Sequence, residues 1–77
     1  MTAQPLTALK IGAAGTVSEI KLRPDQRGRL LEMGLLVGTN VQLVRFAPLG
    51  DPVEIKVRGY HLTLRRHAEQ IWVQPAS

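Results

Sequence analysis

The twelve residues VEIKVRGYHLTL, Val53 to Leu64, decide the fold class. Val53, Ile55 and Val57 alternate with Glu54, Lys56 and Arg58, the period-two pattern of a strand with one buried and one wet face. Arg58-Gly59-Tyr60-His61 supplies a turn and Leu62-Thr63-Leu64 resumes an apolar run, so the segment predicts a hairpin. Immediately upstream, Val41, Leu43 and Arg45 alternate with Gln42, Val44 and Phe46. Apolar residues then occupy both faces, as a central strand would place them. Between these strands, Ala47-Pro48-Leu49-Gly50 suits a type I turn with proline second and glycine fourth, and Asp51-Pro52 prolongs the loop.

Further towards the N-terminus the pattern changes. Pro24 blocks strand continuation and Asp25 can accept hydrogen bonds from the amides that follow, so a short helix is predicted from there to about Met33. Gly28 costs such a helix about 1 kcal/mol relative to alanine, which makes it depend on packing Leu30, Leu31 and Met33. Gly34 falls where a left-handed residue ends a helix, with Leu35 placed to touch Leu30. Thr16 to Leu22 reads as a first strand. The shift of its apolar residues from Val17 to Ile20 and Leu22 suggests a bulge. Leu6, Leu9 and Ile11 precede a bend at Gly12 and Gly15, with Thr7 able to cap one helical turn. Ile71-Trp72-Val73 forms a last short strand. About five strands and one short helix predict a mainly β chain, a small SH3-like β-barrel. An OB-fold is the neighbouring option but usually needs longer strands. Residues 1–77 are read as a single domain with its core from about Leu6 to Val73.

Composition narrows the function. The 77 residues contain no cysteine, which excludes a disulfide scaffold, a thiolate zinc site and a cysteine nucleophile. No apolar run is longer than the three residues of Leu35-Leu36-Val37, far short of the about 20 residues that span a bilayer. Gln4, Pro5, Thr7 and Lys10 interrupt any signal-peptide stretch, so a cytosolic location is expected. Ten Lys plus Arg against six Asp plus Glu give a net charge of +4, which makes an anionic partner worth weighing. The charges alternate, however. Arg23, Arg27 and Arg29 are interleaved with Asp25 and Glu32, Lys56 and Arg58 follow Glu54, and only Arg65 and Arg66 are adjacent. With three aromatic residues in all, this reads as a solvated surface, and nucleic-acid binding is the lesser alternative.

No nucleophile sits beside a general base, and no catalytic residue is assigned; a non-enzyme is expected. His61, His67 and Glu69 are the only candidate metal ligands. They are read as surface residues near a basic pair, with a ferrous site of histidine and carboxylate as the alternative. Trp72 is read as a packing residue. The segment Gly34-Leu35-Leu36-Val37-Gly38 is the most informative one, because it sets three apolar residues in a connection where polar residues are the norm. One of them clasps the helix and another closes the barrel end. In the functional reading the exposed remainder docks a partner.

Together these residues resemble a known family. Arg29-Leu30-Leu31-Glu32-Met33-Gly34-Leu35 with Gly38, Arg45 with Ala47-Pro48-Leu49-Gly50-Asp51-Pro52, then Gly59, Leu62, Leu64-Arg65, Ala68 and Ile71-Trp72-Val73 are similar to the FeoA family, the small cytosolic ferrous iron transport proteins A. Val37 departs from the pattern, which most often has proline there. The resemblance implies an SH3-like module that acts beside a large inner-membrane ferrous iron transporter with a cytosolic GTP-binding domain, peripheral to the membrane through that partner. No cofactor is expected, with ferrous iron as the alternative. The same fold occurs as the C-terminal domain of DtxR-type iron-dependent repressors, so fold alone proves no transport role. Arg29, Met33, Leu35, Leu36 and Val37 are the expected partner-binding residues, and the exposed edges of so short a barrel are open to self-association.

Overall fold

The alternation of residues 53 to 64 becomes the hairpin it predicts. A computed structural model describes residues 2–65 and 68–76, and in it β4 (Val53–Val57) buries Val53, Ile55 and Val57 while Glu54 and Lys56 face outward. The turn comes one residue earlier than the sequence suggests. Val57 pairs with Tyr60, the first residue of β5 (Tyr60–Leu64), so only Arg58 and Gly59 form the loop. Both have positive φ, 48° and 92°, as a two-residue hairpin turn of this hand requires. Arginine thus adopts a conformation that usually falls to glycine or asparagine.

On its other side β4 pairs with β3 (Asn40–Phe46). The register slips between Leu43 and Arg45, so Val44 is an extra residue and Arg45 comes to lie opposite Glu54. The predicted turn between these strands forms, with the Gly50 N–H donating to the Ala47 carbonyl at 2.8 Å. Strand β2 (Ala14–Ile20) pairs with β3 and carries the expected bulge, at Ser18 between Val17 and Glu19. It begins and ends two residues before the range read from sequence. Strand β6 (Ile71–Pro75) lies against the opposite edge of β2 and extends beyond the predicted 71–73.

A sixth strand was not anticipated. β1 (Gln4–Pro5) pairs with β6, Gln4 opposite Val73 and Pro5 opposite Trp72. The 3-10 turn Leu6–Ala8 that follows has Pro5 at its N-cap and no side-chain cap, so Thr7 does not cap it. A second such turn, Ala68–Gln70, leads into β6. The strand order is β1-β6-β2-β3-β4-β5, all antiparallel. The mainly β, SH3-like class with one short helix is what forms. Its hydrogen bonding does not close, however, and β1 and β5 remain the edges of the sheet. The sheet curls around Leu6, Val17, Leu43, Ile55, Ile71 and Val73, each at most 1% exposed.

Candidate functional site

Helix α1 (Pro24–Glu32) and the connection after it form the surface on which the sequence concentrates exposed apolar residues. Pro24 takes the first helical position, where its missing N–H is no loss. Arg23 is the N-cap, with no side-chain cap bond. The expected capping role of Asp25 is not realised. Two residues past the N-cap and so too deep to cap, it pairs instead with Arg23 at 3.1 Å in the open. Of the nine helical residues only Leu30 is buried, so α1 is held mainly through its C-terminal end.

That end is tightly specified. Gly34 has φ +86°, the Leu35 N–H donates to the Leu30 carbonyl and the Gly34 N–H to the Leu31 carbonyl, both at 2.9 Å. This is the double hydrogen bond of a helix closed by a left-handed glycine, with Leu30 and Leu35 buried together in the core. The Tyr60 hydroxyl, reaching over from β5, donates to the Met33 carbonyl and ties the same end to the far hairpin.

The following loop is stitched by a residue that sequence reasoning missed. Thr39 is 1% exposed; its hydroxyl accepts from the Leu36 N–H at 3.3 Å and donates to the Gly34 carbonyl at 3.4 Å. Its backbone N–H donates to the Leu36 carbonyl at 3.0 Å. The Gly38 N–H donates to the Val17 carbonyl at 2.8 Å, and the Val17 N–H to the Thr39 carbonyl at 2.9 Å. A hydroxyl residue directly after the second glycine was the available signal, since short hydroxyl side chains satisfy turn backbones locally.

The result is a fixed apolar rim. Leu36 is 42% exposed, Val37 59% and Leu31 56%. Together with Ile20 and Arg27 they line a shallow hollow. Arg27 is positioned by donation from Nε to the Leu22 carbonyl at 2.8 Å. Of the five expected partner-binding residues, Leu36 and Val37 belong to this hollow. Arg29 is exposed on the helix and does not line it, and Met33 is half-buried and packs on the core. Leu35 is fully buried and is corrected to a core residue: the glycine-closed helix end turns its side chain inward against Leu30. Arg27 and Leu31, one helical turn apart, were legible as a pair on one helix face. Ile20 was not, because its place depends on how β2 meets the loop.

A second cluster lies on the outer face of β3, β4 and β5. Arg45 Nε donates to Glu54 Oε1 at 3.0 Å, and His61 Nδ1 lies 2.8 Å from Glu54 Oε2. The hydrogen bond from His61, and then that from Arg45, hold the Glu54 carboxyl below its usual value near 4.5. A depressed carboxyl pKa means stabilisation that is complete above the ordinary value and lost as pH falls through the lowered one. Glu54→Gln is therefore expected to be less stable than the parent at neutral pH, with the difference shrinking in acid. Thermal unfolding across that range checks it, and a pH-independent difference would contradict it.

This pairing also bears on metal binding. His61 already faces a carboxylate that Arg45 shares, Glu69 is exposed in the turn before β6, and His67 lies outside the described residues. Among the described residues no group of three or more histidine, aspartate or glutamate side chains is placed to hold a metal ion. Trp72 is half-buried, with the Lys21 ammonium 3.8 Å over its ring.

A family model described as the FeoA domain matches residues 4–75. Over 61 residues, 79% of its length, the chain is 36% identical to the Fe(2+) transport protein A/Fe(2+) transporter FeoB fusion protein of Porphyromonas gingivalis, and it spans 7% of that protein. The solution structure of FeoA from Chlorobium tepidum is 40% identical with a TM-score of 0.87, covering 96% of this chain and 71% of that one. FeoA from Stenotrophomonas maltophilia, solved with zinc and described as a prokaryotic SH3-domain protein, is 25% identical with a TM-score of 0.72, covering 96% of this chain and 91% of its own.

Proposed function

The chain belongs to the FeoA family, a family of ferrous iron transport, and we propose that it is a cytosolic accessory protein that docks on the GTP-binding cytosolic region of a membrane ferrous iron transporter. The observation that carries this reading is the hydrogen-bonded loop that holds Leu36 and Val37 outward beside Leu31. Folding alone gives no reason to expose these side chains, and covering the half of each that is still exposed gains about 1 kcal/mol apiece. In the Porphyromonas gingivalis relative the FeoA-like segment and the transporter share one chain, which supports proximity of the two here. Ferrous iron is then the cargo of the partner. This chain's residues supply a docking face, with Arg27 and Arg29 as cations beside it that favour an acidic border on the partner. Among the described residues no helix is long and apolar enough to cross a membrane, consistent with a protein held peripherally at the inner membrane through its partner.

Titration against the transporter's isolated cytosolic region by calorimetry tests the reading. Leu36→Asp places a carboxylate where an apolar contact is required and is expected to weaken binding by about 10-fold or more, without lowering thermal stability. Unchanged affinity of the folded variant would remove this loop from the interface. GTP hydrolysis measured in the same preparation distinguishes a regulator, which changes the rate, from an assembly factor, which does not.

A further inference from the structure

We propose that strand β5 is a self-pairing edge through which two copies of this chain associate, β5 against β5 antiparallel and centred on Leu62. The two-residue turn at Arg58-Gly59 makes Val57 and Tyr60 a hydrogen-bonded pair, and this fixes the alternation along the hairpin. Tyr60, Leu62 and Leu64 turn their backbone groups towards β4. His61 and Thr63 turn theirs away from it, and β5 is the last strand of the sheet. Among the described residues no backbone hydrogen bond satisfies that outer edge.

Natural edges are usually blunted by proline, lysine or an inward-pointing charge. Tyr60-His61-Leu62-Thr63-Leu64 has none of these. Its composition fits a second copy of itself. In the antiparallel register centred on Leu62 all five residues are matched, and His61 opposite Thr63 gives narrow pairs on both sides of the two-fold axis. Leu62 meets its own symmetry mate in the close, non-hydrogen-bonded position, and Tyr60 meets Leu64. Within Tyr60–Leu64 no like charges are opposed. The inward face thereby covers the half-exposed Leu62 and the 42% exposed Tyr60. A contact this narrow lies at the small end of specific interfaces, so the dimer is weak and concentration-dependent.

Sedimentation equilibrium of the full chain is expected to show a mass rising from 8.5 kDa towards twice that value as concentration approaches about 1 mM. Amide exchange is expected to show protection of the His61 and Thr63 N–H groups that grows over the same range. Thr63→Pro removes an edge donor that β4 does not use, and Thr63→Lys places a charge on the edge. Both are expected to remain monomeric while melting cooperatively. A chain that stays monomeric at this concentration overturns the proposal. So does association that both variants retain, or protection of the two amides that appears only when the transporter's cytosolic region is added, which would assign the edge to a heterologous strand.

Discussion

Leu35→Ala is expected to lower the unfolding free energy by about 2–5 kcal/mol, the range for truncating a fully buried leucine. Leu35 is completely buried, and it anchors both the end of α1 and the start of the loop that follows. In a domain of this size each kcal/mol moves the melting temperature by about 4–8 °C, so the loss is plain in a thermal melt. Leu36→Ala, one residue on and 42% exposed, is expected to change stability by no more than about 0.5 kcal/mol. Adjacent leucines thus separate a folding residue from a surface one. A Leu35→Ala protein that melts with the parent would show that the helix end is not seated in the core.

The second large effect is at Gly34. Gly34→Ala forces an L side chain into φ +86°, costing about 1–2 kcal/mol in the left-handed region. The new Cβ also collides with the Tyr60 hydroxyl and displaces its bond to the Met33 carbonyl. These two costs can be separated. Tyr60→Phe alone gives up one hydrogen bond, worth about 0.5–1.5 kcal/mol. In the Gly34→Ala/Tyr60→Phe double variant there is no hydroxyl left to collide with, so only the backbone cost remains in addition. The double variant is expected to lose less than the sum of the singles by about 0.5–3 kcal/mol, measured by denaturant unfolding. Strict additivity would mean that Tyr60 does not hold the helix end.

Local chemistry made much of this arrangement legible. The alternation of Val53, Ile55 and Val57, the glycine after Met33, the bulge near Ser18 and the Ala47–Gly50 turn each depend on neighbours within a few residues, and each is realised. What was not legible depends on pairing between distant segments. Two residues containing a proline give no periodicity, so β1 emerges only once β6 offers it an edge. The contact of His61 with Glu54 follows from the register of the hairpin, and the sharing of that carboxylate with Arg45 follows from the extra residue at Val44. His61 reads from sequence as a surface residue with a ligand role as the alternative; its register gives it a carboxylate neighbour. Within the candidate site, Leu36 and Val37 were identified from three apolar residues between glycines. Exposure alone could not say which of the three turns inward, and the glycine-closed helix end decides it for Leu35.

The position of β6 has a consequence for biosynthesis. Residues 71–75 are inserted between β1 and β2, and Ile71 and Val73 fill the middle of the core with no exposure at all. While a ribosome has made only the first 70 residues, Val17 and Leu6 face an unfilled seam, and β1 has no strand to join. Strands β2 to β5 are neighbours in sequence order and can pair without β6, but β1 and the free edge of β2 wait for it. Completion of this small sheet thus requires β6, and a chain truncated before Ile71 has its apolar interior open to the cell's proteases.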